Sequence, residues 1–445
     1  MSDWSGRRLH LIGVGGAGMS AYARTAHQLV ASVSGADRAD SPFAQALALD
    51  GAVDVAVGHR SENVPAGDDV EVFYSSAIAP DNVERLAGEQ RGLKVRPRSE
   101  LLGELTALRR TIAVAGAHGK TTTASMIVSA LRGGGLDPGY LIGGTLRETG
   151  RNGDWGSGEW LVVEADESDR SMLSLVVEVA VLGNVELDHH EAYGSLHELE
   201  QVYREFLTHA AQAVIWDRPE LLGLREGPVR PFDVASPALH AGGSRFQQNG
   251  VAVELAVPGI HNARNAAAAL TVADLVGVDL AGAAAALGQF RGARRRFERL
   301  GRSPSGAEVY DDYAHHPTEV AATLAAARTL EPQRLIAAFQ PHLYSRTRAF
   351  AREFGSALAA ADVVAVMDVY AAREEAHDFP GVSGLTVAEA TADAAGGRAT
   401  YWLPDRGAAA RVLAELLAPG DLLVVMGAGD IDEIGRLVVA GDGDG

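Results

Sequence analysis

A glycine-rich segment between residues 111 and 123 carries the residue types that hold a nucleoside triphosphate. The apolar run at residues 112–114 predicts a strand, residues 124–131 predict a helix, and the turn lies between them. Backbone N–H groups at such a turn bind phosphate, a lysine reaches the β- and γ-phosphates, and a threonine hydroxyl ligates Mg²⁺. The strict pattern has glycine in place of Val114, so an ordinary strand–turn–helix is the alternative. The candidate nucleotide-binding residues of this segment are Gly116, His118, Gly119, Lys120, Thr121 and Thr122.

The use of lysine supports this interpretation. Of the 39 basic residues only two are lysines, Lys94 and Lys120, and arginine supplies the rest. A lysine ammonium is a compact point charge, which suits a phosphate group. A chain that otherwise uses arginine has therefore kept a lysine where the turn meets the helix.

A second glycine-rich turn, at residues 13–18, follows the first predicted strand and fits the pattern G-x-G-x-x-G. This pattern indicates a diphosphate beside a helix N-terminus, and Asp37 lies at a suitable distance downstream for a ribose contact. Taken alone the turn suggests NAD, but a UDP-sugar fits equally well, and a simple tight turn is a third interpretation. An NAD-dependent oxidoreductase would leave the loop at residues 116–121 unexplained.

Carboxylates and a histidine follow two further apolar strands. Residues 164–169, Glu-Ala-Asp-Glu-Ser-Asp, end one strand, and His189 follows the next. Carboxylates at the carboxyl edge of a sheet that also holds a phosphate loop suggest Mg²⁺ ligands, although a solvated acidic loop is the alternative. We expect adjacent strands to bring His189 close to Glu164, where it would bind a second Mg²⁺ or a phosphate, although a lone histidine is usually structural. The candidate metal ligands are Thr121, Glu164 and His189.

An alanine-rich helix is predicted at residues 262–276, after Pro258 and Gly259. His261 and Asn265 are four residues apart and share one helix face, where an imidazole and an amide could hold a purine. An N-terminal cap followed by a buried helix explains the same spacing.

Three further segments place arginine and histidine in an otherwise acidic chain. They are residues 294–298, 311–317 and 340–348. Such side chains can clamp a γ-phosphate or a carboxylate, whereas each segment alone could also be a surface ion-pair network.

The bulk properties exclude several classes of protein. A length of 445 residues indicates two to three domains, and 47% hydrophobic residues are typical of a globular protein. The absence of cysteine excludes disulfides, thiolate zinc sites and cysteine nucleophiles. A net charge of −19 argues against nucleic-acid binding. No apolar run has the length of a membrane span and no signal-peptide core precedes residue 15, so we expect a cytoplasmic protein without membrane insertion.

The elements that must position these motifs alternate between strands and helices, which predicts three α/β units in series. The fold class is α/β with three domains: an N-terminal Rossmann-like domain, a central P-loop ATPase-like parallel sheet and a C-terminal Rossmann-like domain. Strands are predicted at residues 8–14, 30–33, 70–75, 112–114, 160–164, 179–182, 213–216, 334–339, 363–368 and 421–426.

Taken in order, a dozen motifs make the chain resemble the Mur ligases over essentially its whole length. The motifs are GVGGAGMS, SGAD, SSAI, AGAHGKTTT, EADESD, NVELDHH, PGIHNARNA, FRGARRRFE, DDYAHHPTEV, FQPHLYSRT, YAAREE and GAGDI. The motifs are most similar to those of the members that join L-alanine to UDP-N-acetylmuramate in peptidoglycan precursor synthesis. The resemblance implies ATP and Mg²⁺ as cofactors and a monomer or homodimer. It also implies a UDP-sugar-binding domain at residues 1–107, an ATP-binding domain at 108–298 and an amino-acid-binding domain at 299–445.

The resemblance also implies roles for individual residues. Lys120 would bind the β- and γ-phosphates, and Thr121, Glu164 and His189 would ligate Mg²⁺. The sugar nucleotide, the muramoyl carboxylate and alanine would contact Gly15, Gly16, Ser75, Ser76, His315, His342 and Arg346. ATP would further contact His261, Asn262, Asn265, Arg296, Asp312 and Tyr313, and the catalytic set would be Lys120, His189, Arg296, His315 and Arg346.

Some positions differ from the family pattern. Ala117 replaces a common threonine, and Leu343 replaces an arginine of several relatives, so Arg346 would carry more of the substrate charge. No lysine follows Lys120, so the carbamylated lysine of some sister ligases is absent.

The nearest alternative is a ligase of muropeptide recycling that attaches a whole tripeptide to the same UDP-sugar. An NAD-dependent oxidoreductase and a non-catalytic nucleotide-binding regulator are the alternatives from other classes.

Overall fold

The structure is a computed structural model that describes residues 4–51, 53–188 and 192–441. In these residues the chain forms 21 strands and 14 α-helices, and the strands make four sheets. No helix in this part of the chain is long and apolar enough to cross a membrane. The chain falls into two compact units: one holds the residues up to Asp233 with Gln248–Val251 and Asn265–Leu287, and the other holds Val234–Gln247, Ala252–Arg264 and the residues from Gly288 onward.

The N-terminal sheet has five parallel strands. Its strands are Arg8–Ile12 (β1), Ser32–Asp37 (β2), Asp54–Val57 (β3), Val70–Tyr74 (β4) and Lys94–Pro97 (β5), and its helices are Ala17–Gln28 (α1), Pro42–Leu49 (α2), Val83–Gln90 (α3) and Arg98–Thr106 (α4). In the spatial order β3-β2-β1-β4-β5 the chain adds β2 and β3 on one side of β1 and then β4 and β5 on the other side. The switch point of the sheet therefore lies between β1 and β4. A crevice for a ligand therefore opens beyond the carboxyl ends of these two strands.

The central sheet has seven strands in the order β12-β11-β10-β6-β9-β7-β8. Its strands are Arg110–Ala115 (β6), Gly139–Leu146 (β7), Arg151–Asp154 (β8), Trp160–Glu164 (β9), Val179–Leu182 (β10), Gln212–Trp216 (β11) and Arg230–Phe232 (β12), with the helices Lys120–Gly133 (α5), Leu196–His209 (α6) and Pro219–Leu222 (α7). Only the edge strand β8 runs antiparallel to its neighbour in this sheet. The inner strands are apolar and buried, as expected for a parallel sheet with helices on both faces.

A small three-stranded sheet and two helices follow. The strands are Ala238–His240 (β13), Gly243–Gln248 (β14) and Val251–Leu255 (β15), and the helices are Ile260–Val276 (α8) and Leu280–Gln289 (α9). The long alanine-rich helix is present as predicted, starting two residues earlier.

The C-terminal sheet has six strands in the order β16-β17-β21-β18-β19-β20. Its strands are Glu298–Arg302 (β16), Glu308–Asp312 (β17), Arg334–Phe339 (β18), Val363–Val366 (β19), Ala399–Trp402 (β20) and Asp421–Met426 (β21), with helices Pro317–Arg328 (α10), Tyr344–Leu358 (α11), Gly384–Ala394 (α12), Arg406–Leu416 (α13) and Asp432–Ala440 (α14). Only β16 runs antiparallel here.

The three-domain α/β fold class is confirmed, and two details of the prediction are wrong. The second strand forms at Ser32–Asp37 rather than at residues 30–33, because pairing with β1 carries the strand through Gly35, while Val30 is 73% exposed with a φ of +66°. The strands before residues 164 and 189 are not adjacent, because β6 lies between β9 and β10. The boundary after residue 107 falls between α4 and β6 and that after 298 falls at the start of β16, and both limits stay predictions.

The N-terminal and central sheets meet through α1 and the hairpin strand β8. A Cβ built on Gly153 would lie 2.8 Å from the Cα of Ala21, and Asn152 Nδ2 donates to Ser20 Oγ at 2.8 Å. Backbone atoms cannot yield as a flexible side chain can, so this contact requires glycine.

We predict that Gly153→Ala lowers the free energy of unfolding by about 1–3 kcal/mol, because the added methyl group overpacks the contact. The measurement is urea unfolding followed by tryptophan fluorescence, with Gly194→Ala as the control. Gly194 is exposed, and its added Cβ would meet nothing closer than 3.8 Å. Equal unfolding midpoints for the two variants would contradict the prediction.

Candidate active site

The turn after β1 is shaped by two side chains from the neighbouring strand and helix. The N–H of Gly15 donates to Asp37 Oδ2 at 2.9 Å, and Ser41 Oγ donates to the carbonyl of Gly15 at 2.7 Å. A Cβ on Gly15 would lie 2.7 Å from Ser41 Oγ and 2.9 Å from Asp37 Oδ2, so a side chain here would displace the two groups that shape the turn. Gly16 is the N-cap of α1 and supplies no side-chain acceptor, which leaves the first N–H groups of the helix available to an anion.

The segment with Ser75 and Ser76, which is expected to contact the sugar nucleotide, lies at the same crevice. Ser75 follows β4, and its N–H donates to the carbonyl of Ile12 at 3.0 Å. A Cβ on Gly13 would lie 3.0 Å from the Cβ of Ser75, so the end of β4 packs against the glycine-rich turn. The structure therefore brings Gly15, Gly16, Ser75 and Ser76 to one edge of the sheet. Asp37 uses one carboxylate oxygen to hold the turn, and its contact with a ribose stays a prediction.

The loop between β6 and α5 depends on two glycines and on Asn184. Gly116 and Gly119 have φ angles of +138° and +79°, which L side chains rarely adopt. The Asn184 carboxamide accepts from the N–H of His118 and donates to its carbonyl, both at 2.9 Å. Asn184 follows β10, the strand next to β6, and thus fixes the loop from the side. Sequence reasoning gave Asn184 no role, although its position after an apolar strand was a usable signal.

Lys120 is held by a buried carboxylate. Its Nζ donates to the Oε1 and Oε2 of Glu167 at 2.9 and 2.8 Å and to the carbonyl of Gly116 at 2.7 Å. Burial alone would lower the pKa of Lys120, but the charges of Glu167 and Asp166 raise it, so the amine is an ammonium at neutral pH. Glu167 is 2% exposed and was missed as a site residue, although its motif was recognised.

The predicted metal ligands Thr121 and Glu164 lie on elements of the same sheet edge. Thr121 is in the first turn of α5, beside Thr122, and both are buried. Glu164 ends β9, where it is in register with Val114 of β6, and its Oε1 accepts from the N–H of Gly143 at 2.5 Å. A hydroxyl and a carboxylate are hard oxygen donors, so this pair fits Mg²⁺. His189 lies outside the described residues.

The start of α8 carries the predicted adenine-binding side chains. Asn265 contacts the phosphate loop, since a Cβ on Gly119 would lie 3.3 Å from its Oδ1. Asn262 uses its Nδ2 to donate to the carbonyl of Pro258 at 2.7 Å, which ties the first turn of α8 to the segment before it. Burial, aided by the charge of Arg264, lowers the pKa of His261 to about 4, so its ring is neutral at physiological pH.

In the second compact unit, Asp312 organises the start of the C-terminal sheet. Its Oδ2 accepts from the N–H of Phe297 at 2.7 Å and its Oδ1 from the N–H of Ala314 at 2.8 Å. Burial raises the pKa of Asp312 to about 6, while the charge of Arg296 opposes that rise. The Arg296 guanidinium also lies 5.1 Å from the ring centroid of Tyr313. The structure thus groups the predicted residues Arg296, Asp312 and Tyr313.

A histidine pair and Arg346 form the other cluster of this unit. The ring centroids of His315 and His342 are 5.9 Å apart, and His342 Nδ1 is 3.0 Å from Arg346 Nη1. His315 Nδ1 is 2.9 Å from the Tyr313 carbonyl and 3.4 Å from Glu319 Oε2. These contacts hold the ring in place, and they bring His315, His342 and Arg346 into one cluster.

Leu343, between the histidine and the arginine, has a strained backbone. Its φ of +67° lies in the left-handed region, and it is the N-cap of α11. The Leu343 N–H donates to the carbonyl of Tyr370 at 3.0 Å, and the Tyr370 ring stacks on His342 with centroids 5.8 Å apart. Such conformations persist where the surrounding structure fixes them, most often at functional sites.

Comparisons with known proteins agree along the whole chain. Family models described as the Mur ligase family catalytic domain, the Mur ligase middle domain and the Mur ligase glutamate ligase domain match residues 8–110, 114–273 and 295–429. A UDP-N-acetylmuramate–L-alanine ligase of Thermobifida fusca is 42% identical, covering 97% of this chain and 96% of the relative. One of the same name from Saccharopolyspora erythraea is 42% identical, covering 97% and 93%.

Solved structures give the same answer for the fold. The UDP-N-acetylmuramate–alanine ligase of Thermotoga maritima has a TM-score of 0.84 and 26% identity, covering 97% of this chain and 98% of that one. A murein peptide ligase of Psychrobacter arcticus, at 24% identity and a TM-score of 0.70 over 99% and 100%, shares the fold. With three family domains in order and relatives above 40% identity over nearly its full length, the chain belongs to the Mur ligase family.

Proposed function

We propose that this protein uses ATP to join L-alanine to the lactyl carboxylate of UDP-N-acetylmuramate, releasing ADP and phosphate. The observation that carries the proposal is the pair of phosphate-binding turns in one compact unit, residues 13–18 for a sugar nucleotide and 116–121 for ATP. An oxidoreductase needs only the first of them. The names of the 42% identical relatives supply the identity of the sugar nucleotide and of the amino acid.

The first step activates a carboxylate that does not react with an amine on its own. A carboxylate oxygen attacks the γ-phosphorus of ATP, the bond to the bridging oxygen breaks, and ADP leaves with that electron pair. Lys120, held as an ammonium by Glu167, neutralises charge on the transferring group. Arg296 is the other cation that the family resemblance assigns to ATP. Mg²⁺ held by Thr121 and Glu164 would supply further charge neutralisation when bound.

The second step forms the amide. The neutral amine of L-alanine attacks the acyl carbon, and the tetrahedral intermediate collapses with loss of phosphate. The amine must give up a proton, and His315 is the candidate acceptor because an imidazole titrates near neutral pH. Arg346 and His342 are the candidate contacts for carboxylate groups, since a guanidinium binds carboxylates in a defined geometry. The use of ATP, a UDP-sugar and free alanine as substrates supports the cytoplasm as the place of the reaction.

The alternatives have less support. A murein peptide ligase shares the fold, as the Psychrobacter arcticus structure shows, but that similarity is below 25% identity and carries only the fold. An NAD-dependent oxidoreductase leaves Lys120 and its loop without a role. A non-catalytic regulator leaves the carboxylates and cations at the strand ends without one.

The acceptor is tested by phosphate release from Mg²⁺-ATP and UDP-N-acetylmuramate, with L-alanine or L-Ala-γ-D-Glu-diamino acid tripeptide added in parallel. We expect release that depends on L-alanine. Release with the tripeptide alone would move the protein to muropeptide recycling, and release with neither would refute the proposed function.

We expect Lys120→Ala to lower kcat/KM by at least about 100-fold, because a preorganised cation at the transferring group is lost. The same change should lower stability by about 1–3 kcal/mol, since it leaves the buried Glu167 without its cation. The control is Lys120→Ala with Glu167→Gln, which should regain stability but not activity. Activity that returns together with stability would show that Lys120 has only a structural role.

We expect Arg346→Ala to raise the KM for L-alanine or for UDP-N-acetylmuramate by about tenfold or more, because a charged hydrogen bond contributes about 1.5–3 kcal/mol. Arg346 is 5% exposed, whereas Arg352 lies exposed on the same helix and is the matched control. Steady-state kinetics with each substrate varied would show the effect. Unchanged KM values for both substrates would remove Arg346 from the substrate site.

A further inference from the structure

The acidic loop, residues 164–169, has four carboxylates, and their contacts divide them into three groups. Glu164 accepts from the N–H of Gly143, and Glu167 binds Lys120. The remaining two, Asp166 and Asp169, bind a single arginine, Arg98. The loop that carries a candidate metal ligand and holds the phosphate-binding lysine is thus also attached to a residue of the N-terminal sheet region.

Arg98 is the first residue of α4, directly after β5 of the N-terminal sheet. Its Nε donates to Asp169 Oδ2 at 2.7 Å, and its Nη2 lies 2.9 Å from Asp166 Oδ2 and 2.6 Å from Asp169 Oδ2. The Arg98 side chain is only 15% exposed. Two of its three nitrogens therefore face the acidic loop.

The third nitrogen faces the glycine-rich turn. A Cβ on Gly18 would lie 3.0 Å from Arg98 Nη1 and 3.6 Å from the hydroxyl of Tyr22. Gly18 is the last glycine of the turn at residues 13–18 and lies in the first turn of α1. An anion bound at the start of that helix would act on the same guanidinium that holds the acidic loop.

The two aspartates also define the shape of the loop. The second oxygen of each carboxylate accepts a backbone N–H, from Ser168 for Asp166 and from Ser171 for Asp169, both at 3.0 Å. A displacement of Arg98 would therefore change the loop backbone and, one residue later, Glu167.

We propose that Arg98 is a positioning residue that couples the glycine-rich turn at residues 13–18 to the phosphate loop at residues 116–121 through Asp166 and Asp169. The inference rests on the proposed function, because it takes UDP-N-acetylmuramate and ATP as the two ligands. A diphosphate at residues 13–18 would interact with Nη1 of Arg98, whose other two nitrogens hold Asp166 and Asp169, and Glu167 of the same loop holds Lys120. Linkage makes the effect reciprocal, so ATP strengthens the binding of the sugar nucleotide by the same factor.

The experiment measures by calorimetry the Kd with which the protein binds the Mg²⁺ complex of β,γ-methylene-ATP. Each titration is made once with saturating UDP-N-acetylmuramate and once without it, and alanine is left out throughout. For the unaltered protein we expect the sugar nucleotide to lower this Kd by about fivefold or more. In Arg98→Ala we expect that ratio to fall to about one, while each ligand alone binds within about threefold of the unaltered protein. Arg98→Lys keeps the charge but cannot reach both carboxylates and should keep only part of the coupling.

The matched control is Arg96→Ala, two residues earlier. Arg96 makes ion pairs with Glu71 and Glu104 and lies over the ring of Phe73, away from the acidic loop. This variant loses a comparable set of contacts, so its coupling should equal that of the unaltered protein. A loss of coupling in Arg96→Ala would attribute the effect to general destabilisation and overturn the proposal.

The remaining outcomes are equally decisive. Coupling that survives in Arg98→Ala, or that is absent from the unaltered protein while both ligands bind, overturns the role of Arg98 and leaves the proposed function intact. Failure of the unaltered protein to bind UDP-N-acetylmuramate overturns both. Should Arg98→Ala not fold, Arg98→Lys and Asp169→Asn preserve side-chain volume, and full coupling in both would overturn the proposal.

Discussion

The ion pair between Lys120 and Glu167 is the interaction on which the candidate ATP site depends. A buried ammonium is costly unless a carboxylate is close, and a buried carboxylate is costly without the ammonium. Because both oxygens of Glu167 bind Nζ, the lysine charge has a fixed place in a protein whose net charge is −19. The glycines of the loop, the Asn184 contacts to His118 and the acidic loop all serve to keep that pair at the carboxyl end of β6.

Polar side chains also bind backbone groups at the carboxyl ends of strands in the other two large sheets. In the N-terminal sheet, Asp37 and Ser41 bind backbone groups of the glycine-rich turn and leave the start of α1 open to an anion. In the C-terminal sheet, Asp312 binds two backbone N–H groups beside Arg296. Polar side chains thus shape loops at the carboxyl edges, and cations stand beside them. We infer that this arrangement would let a strongly acidic chain accept the anionic ligands of the proposed function.

Much of the fold follows from local sequence, and the site only partly does. The strands at residues 334–339 and 421–426 form at the predicted residues because continuous apolar runs of that length suit buried parallel strands. The β6 turn and α5 were visible because glycine, lysine and threonine occur at fixed spacing. Glu167 and Asn184 were missed as site residues because their roles come from partners 47 and 66 residues away. The expected adjacency of β9 and β10 was wrong because strand order is set by packing of the whole sheet, which periodicity does not report.

The scarcity of lysine has a practical consequence for anyone who wishes to label the protein. Lys94 lies exposed at the start of β5, whereas Lys120 is enclosed by Glu167 and remains an ammonium, which is not nucleophilic. Of the two lysines, an amine-reactive dye should therefore attach to Lys94 and leave Lys120 and the phosphate loop intact. With no cysteine in the chain, a single introduced thiol would provide an independent second attachment point for fluorescence distance measurements.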